Sequence, residues 1–233
     1  MIRFYYNGSP NPMKVALFLE ETGIAYEPIP IDTRKGEQFL PKFLALNPNA
    51  KIPVIVDGDA VVFDSNAILL YLAEKTGRFL PAADPTSRGE MLSWMMFIAS
   101  GLSPFSGQAV HFRHYAPAGQ DYPNRRYQFE ARRHFGVLDG RLADRPYILG
   151  DEMTIADMAA WGWAVRVPLI MGEEAWADLP NVKRWCDGIS ARPAAQRAMA
   201  LKERHQFKPD FDDEARRNMF RFLEQAGEAS AGA

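Results

Sequence analysis

The chain has 233 residues, 47% of them hydrophobic and 24% charged, with a formal net charge of -2, which describes an ordinary globular protein of one large or two modest domains that needs no metal or disulfide to build a core. No basic field suited to nucleic acid or an anionic membrane is present, no run of like charges forms a binding tail, and no stretch nears the ~20 apolar residues of a membrane span. The one cysteine, Cys186, cannot form an internal disulfide, and residues 1–6 lack the apolar core of a signal peptide, so a reducing, cytoplasmic location is expected.

The first 80 residues alternate strand and helix signals. Residues 2–6 are a short β-branched and aromatic run, ended by the turn-like Asn7-Gly8-Ser9-Pro10. Residues 13–21 place Val15, Leu17, Phe18 and Leu19 close together, a helix with a broad apolar face stopped at Gly23. Residues 26–31 alternate around two prolines and suit an edge strand. Phe39, Phe43, Leu44 and Leu46 predict a short amphipathic helix. Ile52-Pro53-Val54-Ile55-Val56 and Ala60-Val61-Val62-Phe63 flank Asp57-Gly58-Asp59 and predict a hairpin. Residues 66–73 follow as an apolar helix. The order β-α-β-α-β-β-α is a thioredoxin-like layout.

Residues 78–83 read as a linker, and no convincing strand follows them. Asp84-Pro85 is a good N-cap and first-position pair for a helix carrying Met91, Leu92, Met95, Met96 and Ile98. Pro104 bends or ends that helix. Tyr127, Ala131, Phe135, Leu138 and Leu142 recur at helical spacing. Thr154-Ile155-Ala156-Asp157 is a capping signal before an apolar helix expected to run to Leu169. Val182, Trp185 and Ile189 mark one more helix, and the small, polar last dozen residues read as frayed.

Three of these segments carry a resemblance: Asn47-Pro48-Asn49-Ala50-Lys51-Ile52-Pro53, Asp64-Ser65 opening the third helix, and Thr154-Ile155-Ala156-Asp157. In order and spacing they are similar to the glutathione transferases over about residues 1–205. Ser9-Pro10-Asn11, Tyr71-Leu72-Ala73-Glu74-Lys75-Thr76-Gly77, Gly107-Gln108, His111-Phe112 and Arg126-Tyr127 more closely resemble the bacterial nu-class enzymes and their fungal nitrogen-regulator relatives. The resemblance implies an α/β thioredoxin-like N-terminal domain over residues 1–80 and an all-α C-terminal domain over 84–225. It also implies a homodimer that binds two glutathiones, or one glutathione disulfide, per site and reduces disulfides. Pro12, where those relatives carry a small residue, and Asp64, in place of the commoner glutamate, are departures.

Candidate site residues follow from both lines of argument. In thioredoxin-like redox proteins the turn at Ser9-Pro10-Asn11-Pro12 is Cys-x-x-Cys; here Ser9 and Pro12 replace both cysteines, so catalytic sulfur must come from glutathione. A helix N-terminus favours a thiolate, and a Ser9 hydroxyl or Asn11 amide can donate to it. Asn11 followed by Pro12 is equally a good N-cap pair, and capping through the amide oxygen leaves the NH₂ free. A cis Ile52-Pro53 bond, which the resemblance implies, presents backbone groups to an extended tripeptide. Ser65 and the helix N–H groups suit the γ-glutamyl carboxylate, Asp64 its ammonium, and Lys51 the glycyl carboxylate; an N-cap and a solvated lysine are the plainer readings of these residues.

Gln38 and Arg126 rest on the resemblance alone, Gln38 as a ligand contact and Arg126 as a partner for a carboxylate of the second glutathione. Cys186, between Trp185 and Asp187, reads as packing. His111 and His114 lack the partners of a metal site, so no metal is assigned. The expected function is glutathione-dependent disulfide reduction, with conjugation of glutathione to electrophiles, or a non-catalytic regulator on the same fold, as alternatives.

Overall fold

Alternation along Ile2–Tyr6 puts Ile2, Phe4 and Tyr6 into the core and makes this strand, β1, the centre of a sheet. In the computed structural model, which describes residues 1–221, β1 pairs in parallel with β2 (Tyr26–Pro30) and antiparallel with β3 (Val54–Asp57). The hairpin continues into β4 (Ala60–Phe63), and the sheet order is β2-β1-β3-β4. Pro28 and Pro30 therefore sit on an edge strand, as their missing N–H groups require. The thioredoxin-like layout holds.

The first helix, α1, spans Pro10–Thr22 and ends at Gly23, whose φ of 70° makes the left-handed cap. Every residue from Pro12 to Leu19 is buried, because α1 lies between the sheet and the second half of the chain. The single helix expected around Phe39–Leu46 is instead two 3₁₀ turns, Thr33–Lys35 and Glu37–Phe39, and a four-residue α2, Pro41–Leu44. The break falls at Leu40, extended at φ -64° and ψ 139°, because a residue before proline is disfavoured in the helical region. The third helix, α3, spans Ser65–Thr76.

Among its described residues the second half holds helices and no strand, with one isolated bridge between Tyr147 and Gly150, in keeping with the sequence. Asp84 accepts from the Ser87 N–H at 2.9 Å and starts α4, Pro85–Phe97. A π-helical turn, Ile98–Leu102, then leads into α5, Ser103–His114. The wider turn accommodates the Pro104 ring, which an unbroken α-helix would press against the carbonyl of residue 100. Next come α6 (Asp121–Arg141) and α7 (Ile155–Ala164). The apolar run expected to reach Leu169 breaks at Val165 and Arg166, and Pro168 opens the short α8, Val167–Met171. Then follow α9 (Pro180–Ser190) and α10 (Pro193–Ala200), and α11 (Asp213–Met219) comes last. The end expected to fray lies outside the described residues.

One apolar cluster runs through both halves, joining Phe4, Phe18 and Leu69 to Leu138, Trp161 and Ile189. The segment after α10 returns to the first half: the Lys208 N–H donates to Asp32 at 2.6 Å, and Arg34 donates to the Lys208 carbonyl at 3.0 Å. No described helix is long and apolar enough to cross a membrane.

Asp157 is the polar hub of the helical half. It is fully buried and accepts from the Ile148 N–H at 2.9 Å, the Thr154 N–H at 2.8 Å, the Thr154 hydroxyl at 3.2 Å and the Trp185 indole at 2.9 Å. Burial pushes its carboxyl above the usual range, and these bonds pull the other way. Removing it strands several buried donors, at ~1–3 kcal/mol each. Asp157→Ala is expected to lose about 3 kcal/mol or more of stability, read from urea unfolding curves; a loss under about 1 kcal/mol would show that the hub is dispensable.

Candidate functional site

The site begins in the loop between β1 and α1. Asn7 accepts from the Ser9 N–H at 2.8 Å and donates to Thr33 Oγ1 at 3.3 Å, and Arg166 donates to the Gly8 carbonyl at 3.0 Å. Ser9, extended at φ -79° and ψ 163°, is the N-cap of α1, and its side chain makes no capping bond. The expected pairing of Asn11 as cap with Pro12 in the first position is thus corrected. Pro10 already has the φ of a first helical residue, so the helix starts two residues earlier. The Asn11 oxygen is used differently: it accepts from the Trp163 indole at 3.1 Å. That bond fixes which end of the amide is oxygen and leaves the NH₂ as a donor.

The Ile52-Pro53 peptide bond is cis, as the resemblance implies. The loop before it is clamped by Asn47, which is 1% exposed, donates to the Lys51 carbonyl at 2.7 Å and accepts from the Asn49 N–H at 3.0 Å. Lys51 itself is exposed and Ile52 half-buried. Asp64 stands at φ 71°, outside the regions favoured by residues with a Cβ. It caps α3 by accepting from the N–H groups of Asn66 at 2.8 Å and Ala67 at 3.2 Å, both on Oδ1. Backbone strain at a helix mouth is what a preorganised binding turn looks like. Ser65 follows, buried, at the first turn of α3.

The starts of α1 and α3 meet through Lys14, fully buried, whose Nζ donates to Ser65 Oγ at 3.4 Å and to Ser103 Oγ of α5 at 3.0 Å. Burial brings the Lys14 ammonium down to about 7, against the pull of the Asp64 carboxylate. Gln38 is 4% exposed; its Nε2 donates to the carbonyls of Thr33 at 3.4 Å and Asn218 at 3.2 Å, and its Oε1 is buried with no partner among the described residues. Arg126 lies in the other half, on α6, and pairs with Glu130 at 2.6 Å. Arg133 and Arg126 hold the Glu130 carboxyl below the usual range. Cys186 is buried, and its thiol is pushed up to about 12, first by that burial. Among the described residues no cluster of His, Cys, Asp or Glu is placed to hold a metal ion.

Sequence reasoning misses Lys14, Trp163, Arg166 and Asn47. For Lys14 a signal was legible: a lysine set in the apolar run that continues through Leu19. Trp163 and Arg166 belong to the second half, and nothing in their local sequence points at Asn11 or Gly8.

The starts of α1 and α3, the cis bond at Pro53 and the buried Lys14 thus lie close together in the first half, groups of the kind that can receive a small anionic molecule. Residues 1–74 match the family model of the glutathione S-transferase N-terminal domain, and residues 126–188 that of the C-terminal domain. The Escherichia coli disulfide-bond oxidoreductase YfcG is 42% identical over 211 residues, an alignment covering 85% of this chain and 94% of that protein. A glutathione transferase from Burkholderia graminis, solved with two glutathione molecules per subunit, has a TM-score of 0.81 and 39% identity, covering 88% of this chain and 89% of its own. Another from Pseudomonas putida, solved with one glutathione disulfide per subunit, has a TM-score of 0.79 and 34% identity, covering 86% and 91%. With both domain models matched and such relatives aligned along most of its length, the chain belongs to the glutathione transferase family.

Proposed function

We propose that the protein is a glutathione-dependent disulfide reductase. The observation that carries this reading is the start of α1: Ser9 and Pro12 stand where a thioredoxin-like redox protein holds cysteines, and between them the Asn11 NH₂ is kept as a donor by Trp163. The site thus has donors for a thiolate and no thiol of its own. In the net reaction the acceptor's disulfide bond breaks and the disulfide bond of glutathione disulfide forms. The two protons of the glutathione thiols end on the acceptor's thiols.

The chain's residues fit the tripeptide in three places. Ser65, with the N–H groups at the start of α3 that Asp64 leaves open, receives the γ-glutamyl carboxylate, and Asp64 lies near its ammonium. The backbone of Ile52, before Pro53, pairs with the extended ligand, and Lys51 reaches the glycyl carboxylate. Gln38 brings a buried oxygen that still needs a donor. Arg126, about half exposed, serves a carboxylate of a second glutathione, which the two-glutathione complex of the Burkholderia relative supports. Retention on immobilised glutathione, followed by parallel assays with a small disulfide and an aryl halide, tests the reading. Turnover of the aryl halide alone would make the protein a conjugating transferase, and no retention would make it a regulator on the same fold.

The division of labour between Ser9 and Asn11 is open to measurement. A hydrogen bond to a charged acceptor contributes ~1.5–3 kcal/mol, about one to two pKa units at a thiol. Asn11→Ala is expected to lower kcat/KM for the disulfide by about tenfold or more and to shift the thiol limb of the pH–rate profile upward. Ser9→Ala should do less, because its hydroxyl rotates. The reverse order, with the profile moved only by Ser9→Ala, would make this a serine-type transferase.

Cys186 has no part in this chemistry. Its thiol, pushed up to about 12, is protonated at neutral pH and out of reach of substrate. Cys186→Ala should retain disulfide turnover within about twofold of wild type, since only a small buried side chain is trimmed. A hundredfold loss with an unchanged melting curve would mean that the protein uses its own thiol.

The protein is also proposed to be a homodimer, with residues 91–108 contributing to the contact. Within that stretch Met91 and Met95 belong to the core, while Met96 is 55% exposed. Phe129 at 61% and Val137 at 43% are further exposed apolar side chains on α6. Light scattering at micromolar concentration should give twice the 26.3 kDa chain mass; the single-chain mass would refute the dimer.

A further inference from the structure

Lys14 has no exposed surface, and its place is closed from the second half of the chain. A Cβ built on Gly162 of α7 would lie 2.7 Å from Lys14 Cγ and 2.5 Å from the Pro10 carbonyl oxygen. The helix therefore comes down on α1 with no side chain between them and encloses the lysine stem. An ammonium buried in this way carries a heavy desolvation cost, and an apolar side chain of the same length would pack there without it. The geometry says what the charge does. An ammonium has three donors and no acceptor, so the oxygens of both Ser65 and Ser103 must accept from it. The Ser65 hydrogen is then turned away from Lys14, free for a partner at the mouth of α3.

We infer that Lys14 is a positioning residue of the glutathione site, which acts through Ser65 by turning its hydroxyl hydrogen toward the γ-glutamyl carboxylate. This rests on the reading of the α3 N-terminus as the γ-glutamyl subsite. The neutral amine has a lone pair that can accept from Ser65 instead, which would draw the same hydrogen inward. A ligand carboxylate at α3 favours the ammonium, so ligand binding and protonation of Lys14 reinforce each other. Of the elements around Lys14, the start of α3 presents Ser65 and the Asp64 carboxylate, α5 the Ser103 hydroxyl and α7 Gly162. Asp64 is the charged group among these, and it also favours the ammonium.

Calorimetric binding of S-methylglutathione, which has no thiol to titrate, tests this on the intact protein. Wild-type affinity is expected to fall about fivefold between about pH 6.5 and pH 8, as Lys14 loses its proton in the free protein before it does in the complex. Lys14→Met should bind about tenfold more weakly at the lower pH and show no such slope. Ser65→Ala should add little to Lys14→Met if the two act as one unit. Thermal unfolding supplies a readout without ligand. The folded lysine titrates at about 7 and the unfolded one near the ordinary 10.5, so between these values the unfolded chain binds more protons and stability rises with pH. Lys14→Met should exceed the wild-type Tm near pH 7, and the gap should narrow toward about pH 9. If Lys14→Met does not fold, Lys14→Gln, a donor without a titrating charge, carries the same comparison. Equal pH slopes in wild type and variant, or additive losses with Ser65→Ala, would reduce Lys14 to packing and overturn the inference alone. A wild type that holds no S-methylglutathione would overturn the glutathione reading and this inference with it.

Discussion

The close approach of α7 to the first turn of α1 is the constraint on which the candidate site depends. Gly162 permits it: any Cβ there would overlap the Pro10 carbonyl, and interiors packed at crystal density have no slack to absorb the difference. Once the two helices touch, the next residues of α7 and its exit fall into range. Trp163 reaches Asn11 and Arg166 reaches Gly8. The loop that presents Ser9 is therefore held by the helical half as much as by its own strand. The two halves are one mechanical unit at this point, and the family's division into separate domain models conceals it.

The electrostatics of the site follow from the same packing. Two helices, α1 and α3, end their positive poles near one another, and Lys14 adds a cation beneath both. Asp64 offsets part of this, but its Oδ1 is already committed to the α3 N–H groups. What remains is a positive floor under a mouth lined by hydroxyl and amide donors. On the proposed reading, such a floor serves a tripeptide with two carboxylates and a sulfur that must become anionic. Water is the competitor that the floor must exclude, and Lys14 and Ser65 are both buried.

The elements of the first half were legible because each is a short, local pattern. Strand alternation at residues 2–6, the Asp57-Gly58-Asp59 turn and Gly23 all act through their immediate neighbours. The N-cap was misplaced because two prolines one residue apart, Pro10 and Pro12, each offer a helix start, and a local rule cannot choose between them. The apolar helix carried to Leu169 was over-extended because the periodicity continues past a break that Pro168 imposes. The cis bond at Pro53 was found by motif. Trp163 and Arg166 were not, since their partners lie 152 and 158 residues away. What a sequence reading lacks here is the helix-on-helix contact that converts distant residues into neighbours.

The bond between Gln38 and the Asn218 carbonyl joins residues 180 apart in the chain, and Asp32 and Arg34 are held in the same way by Lys208 and its carbonyl. A chain growing from its N-terminus at roughly 5–20 residues per second makes Asn218 on the order of 10–40 s after Gln38. Through that interval the sheet and α1 can form from local contacts, but the wall that carries Gln38 has no final support. The Gln38 turn thus gains its support from α11 only late in synthesis, and a nascent chain cut before α11 would leave the sheet without it.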